Sequence, residues 1–226
     1  MELVRPSPHG VVSLIDVGAH KGETLREFSS WPHDSKFYAG FEINPGLVKG
    51  LRSALARNSA SFCSSSVHHA AVSDRDGETV FVETRASMTG GLLEPHPTVL
   101  DRVSSGHHAV IGRHMVPSLK LDTFIAANFE LQNLVVKLDM EGAEIVALRG
   151  MEESLRQQIP AVVLSEVFFV NYRNGQGYFW DVASFLHQFG YFFDCLYDER
   201  LTDQGRLYTG NAIWVNKAVA KREAFG

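Results

Sequence analysis

The sequence predicts an open α/β sheet wound by alternating strands and helices, and three observations carry that reading. Residues 11–17 are apolar apart from Ser13 and Asp16, and the turn Gly18-Ala19-His20-Lys21-Gly22 leads from them into a helical pattern. Residues 37–43 repeat the apolar run with Glu42 near its end, and residues 134–140 form a third run that carries Asp139. Runs without alternation read as strands buried on both faces, the pattern of a parallel sheet. Ligands of such sheets bind beyond the carboxyl ends of the strands. Acids placed there three times over point to a nucleoside pocket beside an acidic reaction centre.

In chain order, strand 11–17 passes into a helix over 22–30. Strand 37–43 is followed by Asn44 as cap, Pro45 at the first helical position, and a helix through Arg57 with Leu47, Leu51, Ala54 and Leu55 on one face. A third strand covers 67–73; Asp74-Arg75-Asp76-Gly77 then turns the chain so that residues 78–83 form an antiparallel hairpin with it. From 84 to 116 no period is clear, and glycines, prolines and histidines fill a stretch too long for a plain connection, which marks a segment that binds something or moves. Winding resumes with a short strand at 116–121, a helical turn capped by Asp122 and running through Phe124, strand 134–140, helix 143–157, strand 161–168 and helix 178–189 stopped by Gly190. Strands 191–197 and 211–215 stand too close for a helical connection and form an antiparallel pair at one sheet edge. The chain reads as one domain over 1–226, with a hairpin and loop inserted at about 77–121.

At 226 residues, 45% hydrophobic and 21% charged, the chain can bury one full α/β core. A net charge of −5 and a pI near 6.0 give no global attraction to phosphate backbones, so nucleic acid is a poor partner. No run reaches the roughly 20 apolar residues of a membrane span, and residues 1–10 lack a signal-peptide pattern; the expectation is a cytoplasmic protein without a membrane span. Cys63 and Cys195 show neither metal spacing nor a disulfide framework. Nothing in the sequence fixes an oligomeric state. Gly18 and Gly22 do not make the dinucleotide fingerprint G-x-G-x-x-G, which argues against a nicotinamide-dependent oxidoreductase.

Five motifs occur in one order: Asp16-Val17-Gly18-Ala19-His20-Lys21-Gly22, Phe41-Glu42-Ile43-Asn44-Pro45, Ala71-Val72-Ser73-Asp74 with Gly77, Leu121-Asp122-Thr123-Phe124, and Lys137-Leu138-Asp139-Met140-Glu141-Gly142-Ala143-Glu144. In this the chain resembles the FkbM family of S-adenosylmethionine-dependent methyltransferases over about residues 11–168, and more loosely at 211–215. The resemblance implies a class I methyltransferase fold, a Rossmann-like three-layer α/β sandwich with a seven-stranded, mostly parallel sheet whose last strand is antiparallel. It implies methyl transfer, most often to a hydroxyl oxygen of a sugar, glycan or secondary metabolite, with a protein, lipid or nucleic-acid acceptor as the alternative. By the same resemblance Asp16, Gly18, Ala19 and Gly22 line the methionine part of S-adenosylmethionine and Glu42 takes the ribose hydroxyls. Ala71 and Val72 flank the adenine with Ser66 or His69 nearby, and His20, Thr24 and Ile43 complete the contacts. His20 stands where such turns often carry asparagine and Ile43 where proline is common; neither exchange removes a carboxylate.

An alcohol is a poor nucleophile until its proton is being removed. Lys137, Asp139 and Glu141 are spaced by two and share a face if the strand stays extended, which makes Asp139 the expected base or substrate orienter, a cofactor contact as well, and Lys137 its partner. Glu166, at the matching end of the next strand, could join Asp139 around a divalent cation that lowers the hydroxyl's pKa, although no ligand set is spelled out by spacing. Glu141 and Glu144 equally suit the N-terminus of the helix that follows them. The pairs His68-His69 and His107-His108 point to opposite faces of a strand and make no two-ligand site, whereas His114, in the aperiodic segment, is a second candidate base. Residues 171–177 are polar and glycine-rich among Phe168, Phe169, Tyr172, Tyr178, Phe179 and Trp180, a composition suited to binding a sugar acceptor.

Overall fold

The computed structural model describes residues 10–97, 106–128, 131–202 and 204–223; the expectations for the chain start and for part of the aperiodic segment fall on residues outside these. β1 (Val11–Val17) is apolar on both faces because it lies in the middle of a seven-stranded sheet. On one side it pairs in parallel with β2 (Ser35–Glu42), which pairs with β3 (Ser64–His69). On the other it pairs with β7 (Leu134–Leu138), followed by β8 (Pro160–Phe168), again in parallel. The antiparallel pair forms as its spacing predicts, with one refinement: β10 (Leu207–Asn216) sits inside, against β8, and leaves β9 (Tyr191–Leu201) at the edge.

Two helical layers cover the sheet. Leu25 and Phe28 of α1 (Glu23–Ser29) and Ala54 of α2 (Pro45–Asn58) pack on Val12, Leu14, Tyr38 and Val135, joined by Val219 and Ala220 of α7 (Lys217–Glu223). The opposite face is covered by α3 (Leu121–Ala126), α4 (Glu144–Arg149), α5 (Glu152–Arg156) and α6 (Phe179–Gln188), which bury Ile15, Phe41, Val136, Val163 and Trp214. Truncating one of these fully buried aromatic side chains to alanine costs roughly 3–5 kcal/mol. Asn44 caps α2 as its sequence predicts, its Oδ1 accepting from the Gly46 N–H at 2.9 Å.

The sequence expectation fails in five places between residues 67 and 157. The strand over 67–73 is broken at Ala70, where the chain steps from β3 into a second sheet at β4 (Ala71–Val72). There the partner of β5 (Gly77–Thr84) is not the preceding strand but β6 (Val110–Leu119), with Glu78 opposite Pro117 and Val82 opposite Arg113; β4 and β5 flank β6 on its two sides. The expected strand at 116–121 thus begins earlier, and Leu121 already belongs to α3. Asp122 does not cap α3. Its carboxylate reaches across to α5, accepting from the N–H groups of Glu153 (3.1 Å) and Ser154 (2.8 Å) and from the Ser154 hydroxyl (2.6 Å). Finally, the helix over 143–157 is two helices divided at Gly150, where a Cβ would stand 2.0 Å from the Ser73 carbonyl oxygen.

Candidate active site

The turn after β1 makes its contacts through backbone. Gly18 has φ +75°, and a Cβ there would lie 1.9 Å from the carbonyl oxygen of Asp139, so only glycine lets this turn touch the end of β7. The N–H groups of Gly18 and Ala19 both donate to the Phe41 carbonyl at 3.0 Å, tying the turn to β2. Next to them His20, at φ +46°, donates its N–H to Glu42 Oε2 (2.7 Å), while the Asn44 N–H donates to Glu42 Oε1 (2.7 Å). Glu42 is therefore clamped at both oxygens and only 4% exposed. Burial raises its carboxyl above the usual range, and the two N–H bonds pull it back in part.

Asp16 is fully buried and does not line the cavity at the sheet's carboxyl end; it lies beneath the floor. The Tyr38 hydroxyl donates to its Oδ2 at 2.9 Å and the Lys137 ammonium stands 3.5 Å from its Oδ1. Burial pushes the Asp16 carboxyl up, and Lys137 opposes that. Lys137 is shared: its Nζ is 3.0 Å from Asp139 Oδ2, and the two carboxylates outweigh burial and hold it above the ordinary lysine range. Asp139, by contrast, keeps 44% of its side chain accessible at the cavity.

Three more acids surround Asp139. Glu144 is buried and braces the turn after β7, accepting from the N–H groups of Met140 (2.9 Å) and Gly142 (3.3 Å); burial pushes its carboxyl up to about 8. Glu141 does not share a face with Lys137 and Asp139, because the strand ends at Leu138 and Glu141 takes φ +56°. It meets the buried Arg173 instead, Nη2 to Oε2 at 2.9 Å. Glu166 on β8 lines the cavity; its Oε1 accepts from the Thr209 hydroxyl at 3.3 Å and its Oε2 is buried without a hydrogen-bond partner among the described residues. Burial, then Glu141, Asp139 and Glu144, drive Glu166 strongly toward its protonated form. Among the described residues no group of three or more His, Cys, Asp or Glu side chains is arranged to hold a metal ion.

The cavity measures about 1360 Å³. That exceeds the ~300–1,000 Å³ of a typical single-ligand pocket, leaving room for two molecules side by side. Gly18, Ala19, His20, Thr24, Glu42 and Ile43 line one half with Ala71 and Val72; Lys137, Asp139 and Glu166 lie where the halves meet. Gly22, at φ +80°, is not in the lining: a Cβ there would meet Leu51 Cδ1 at 3.2 Å, so it serves the packing of α1 on α2. Neither Ser66 nor His69 reaches the cavity; Ser66 pairs with His68 Nε2 (2.8 Å) and His69 Nε2 lies 3.2 Å from the Ile43 carbonyl. His114 is likewise apart, on the outside of β6 and 2.8 Å from Glu83 Oε2.

The second half is walled by loops. Asn171 and Tyr172 line it, whereas Arg173 and Gln176 are buried supports: Gln176 Oε1 accepts from the N–H groups of Tyr172 (2.8 Å) and Arg173 (2.6 Å). Tyr172 stacks on Phe168 at 4.8 Å and receives the edge of His108 at 5.3 Å. Burial, with Arg173 beside it, pushes His108 down to about 4, so its imidazole is neutral at physiological pH. Sequence reasoning missed His108, Met88 and the β9–β10 tip as lining residues; Gly90-Gly91 and Gly205, isolated in aperiodic stretches, were the available signal. Phe169 and Phe179 are interior packing, stacked at 5.2 Å, while Trp180 is 67% exposed.

A family model, the methyltransferase FkbM domain, matches residues 16–193. Among solved structures, the methyltransferase FkbM from Methylobacillus flagellatus KT superposes with a TM-score of 0.59 at 16% identity, covering 93% of this chain and 45% of that one. EvdMO1 gives 0.49 at 9% identity over 93% and 38% of the two chains. The magnesium protoporphyrin IX methyltransferase (ChlM) from Synechocystis PCC 6803, crystallised with bound SAM, gives 0.47 at 11% over 93% and 72%. This chain thus spans less than half the length of the first two. No curated protein sequence matches it. The fold is that of the class I methyltransferases, the seven-stranded sandwich with its antiparallel final strand.

Proposed function

Because the chain belongs to the FkbM methyltransferase family, we propose that it moves a methyl group from S-adenosylmethionine to a hydroxyl oxygen of a sugar, glycan or secondary metabolite. The observation that carries the reading is the Glu42 clamp. Each carboxylate oxygen accepts one backbone N–H and keeps acceptor capacity for one hydroxyl of a ribose diol. Around it, the Gly18–His20 backbone admits close approach, and His20 Nε2, buried without a hydrogen-bond partner among the described residues, offers a further polar contact. Ile43, Ala71 and Val72 supply an apolar slot for a base.

S-adenosylmethionine, when bound, supplies an electrophilic methyl on a cationic sulfonium. The accessible Asp139 carboxylate favours that cation by simple Coulomb attraction. Asp139 orients the acceptor hydroxyl and takes up its proton, fixed for that task by Lys137, which Asp16 anchors from below. Glu166, biased toward its neutral form, donates a hydrogen bond to the acceptor rather than competing for its proton. Most of the gain comes from alignment, since holding nucleophile and carbon in line removes the entropy of a bimolecular encounter.

Calorimetric titration of the protein with S-adenosylhomocysteine, and in parallel with NAD, tests this. Saturable binding of S-adenosylhomocysteine that weakens in Glu42→Ala is the expected result. Binding of NAD alone would sink the methyltransferase reading and the roles given to Glu42 and Asp139.

A further inference from the structure

β10 pairs with β8 as far as Thr209 opposite Phe168, and a last bond runs from the Phe169 N–H to the Tyr208 carbonyl. Beyond that point the β9–β10 hairpin pairs with no other strand among the described residues and extends past the last β8 pairing, with residues 200–202, 204 and 206 in the cavity lining. Its tip is closed by the Thr202 N–H on the Arg206 carbonyl (2.7 Å) and the Gly205 N–H on the Thr202 carbonyl (2.8 Å). Register shifts fall on both sides of Arg200, which pairs with Thr209 while Leu201 pairs with Leu207 and Tyr197 with Asn211. Irregularities of this kind re-aim side chains next to active sites. Arg200 lies between these shifts and Arg206 in the tip, and both enter the cavity lining, while the acids Asp198 and Glu199 of the same hairpin stay out of it.

Resting on the methyltransferase reading above, we propose that the acceptor carries an anionic group, a carboxylate or a phosphate, and that Arg200 and Arg206 bind it. The cavity is electrically polar from floor to rim. The Asp139 carboxylate, with Glu141 and Glu166 beside it, makes the floor a place that suits a sulfonium and a hydroxyl that must lose its proton and offers nothing to hold an anion. The two guanidiniums at the hairpin invert that sign. Among the described residues neither is in an ion pair: Arg200 lies against the Tyr208 hydroxyl, near enough to Glu166 and Asp139 to be influenced by them without bonding to either, and Arg206 is exposed. Guanidinium forks match carboxylate and phosphate oxygens two at a time. An acceptor with a hydroxyl at one end and an acid at the other is therefore oriented before any contact specific to its ring is made, hydroxyl toward Asp139 and acid toward the hairpin.

The test uses the full chain saturated with S-adenosylhomocysteine and titrated with D-glucuronate, D-glucose 6-phosphate and D-glucose. At least one anion binds about tenfold or more tightly than glucose, the size expected of one charge-assisted contact, and the stronger of the two arms identifies carboxylate or phosphate as the preferred group. Arg206→Ala removes most of that preference with unchanged affinity for S-adenosylhomocysteine, Arg206→Lys restores part of it, and Arg200→Ala/Arg206→Ala abolishes it. Equal binding of glucose and both anions, or an anion preference that survives the double variant, overturns the proposal. Failure of the wild type to bind S-adenosylhomocysteine is a different result, and overturns the methyltransferase reading beneath it.

Discussion

The two halves of the cavity are made in different ways. Around Glu42 the contacts are backbone: two N–H groups on one carboxylate, two more on the Phe41 carbonyl, and a glycine packed against the Asp139 carbonyl. Around Tyr172 and Arg200 they are side chains on loops and on a hairpin tip. Backbone geometry cannot be changed one residue at a time without disturbing its neighbours, whereas side chains on loops can be exchanged freely. If, as proposed, the first half holds the cofactor and the second the acceptor, main chain on one side and side chains on the other let one fold keep its cofactor and vary its acceptor.

Substitutions sharpen the contrast, beginning where the halves meet. Asp139→Asn lowers turnover by about 10²–10⁴-fold, the usual contribution of a positioned proton acceptor, and leaves S-adenosylhomocysteine affinity nearly intact; comparable turnover would remove Asp139 from the reaction. Gly18→Ala forces a Cβ into the Asp139 carbonyl at a left-handed φ, so thermal denaturation should report a loss of ~3 kcal/mol or more. A wild-type melting temperature would mean that the turn can move away from β7. Glu42→Ala strips two N–H groups of their acceptor and the ribose of its partner, and calorimetry should read a ~10–100-fold loss of S-adenosylhomocysteine affinity.

A pH series separates scaffold from site. Glu144 binds its proton more tightly folded than unfolded, being pushed from an ordinary 4.5 up to about 8. Its contribution is fully present below about pH 4.5 and is lost as pH rises toward about 8, with a slope of at most ~1.4 kcal/mol per pH unit for one proton. Glu144→Gln keeps an acceptor for the Met140 and Gly142 N–H groups and should flatten this decline; chemical denaturation at about pH 5, 6.5 and 8 measures it, and an unchanged slope refutes the assignment. The smallest effect belongs to His114→Ala, whose partner Glu83 is partly exposed: less than ~1 kcal/mol in stability and no change in turnover.

The backbone half was also the more legible in the sequence. Gly18, Glu42 and Asn44 announce themselves because turn, strand end and cap each demand a narrow choice of residue within a few positions of one another. The wall opposite depends on pairings across long separations that no local pattern encodes. β5 finds its partner in β6 across the aperiodic segment, and Glu141 finds Arg173 only because the strand before it ends at Leu138. His114 looked like a base while its segment read as a loop; in a strand its side chain is committed to the face with Glu83, away from the cavity. Asp16 was expected beside the cofactor on the strength of its position at a strand end. Period alone cannot say which of two buried faces such a residue takes, and Asp16 takes the one with Tyr38.

β10 is the last strand of the sheet to leave the ribosome, yet it lies between β8 and β9, and β1 waits for β7 until Ser13 can meet Leu134, more than a hundred residues later. Closing such long loops costs entropy before any contact rewards it. Assembly during synthesis therefore runs in functional order: β1, β2 and the Glu42 clamp can dock early from neighbouring segments, and the wall that bears Tyr208 and Asn211 arrives only when nearly the whole described chain is out. On the function proposed above, a nascent chain acquires the means to grip a nucleoside well before it has anywhere to put a second molecule.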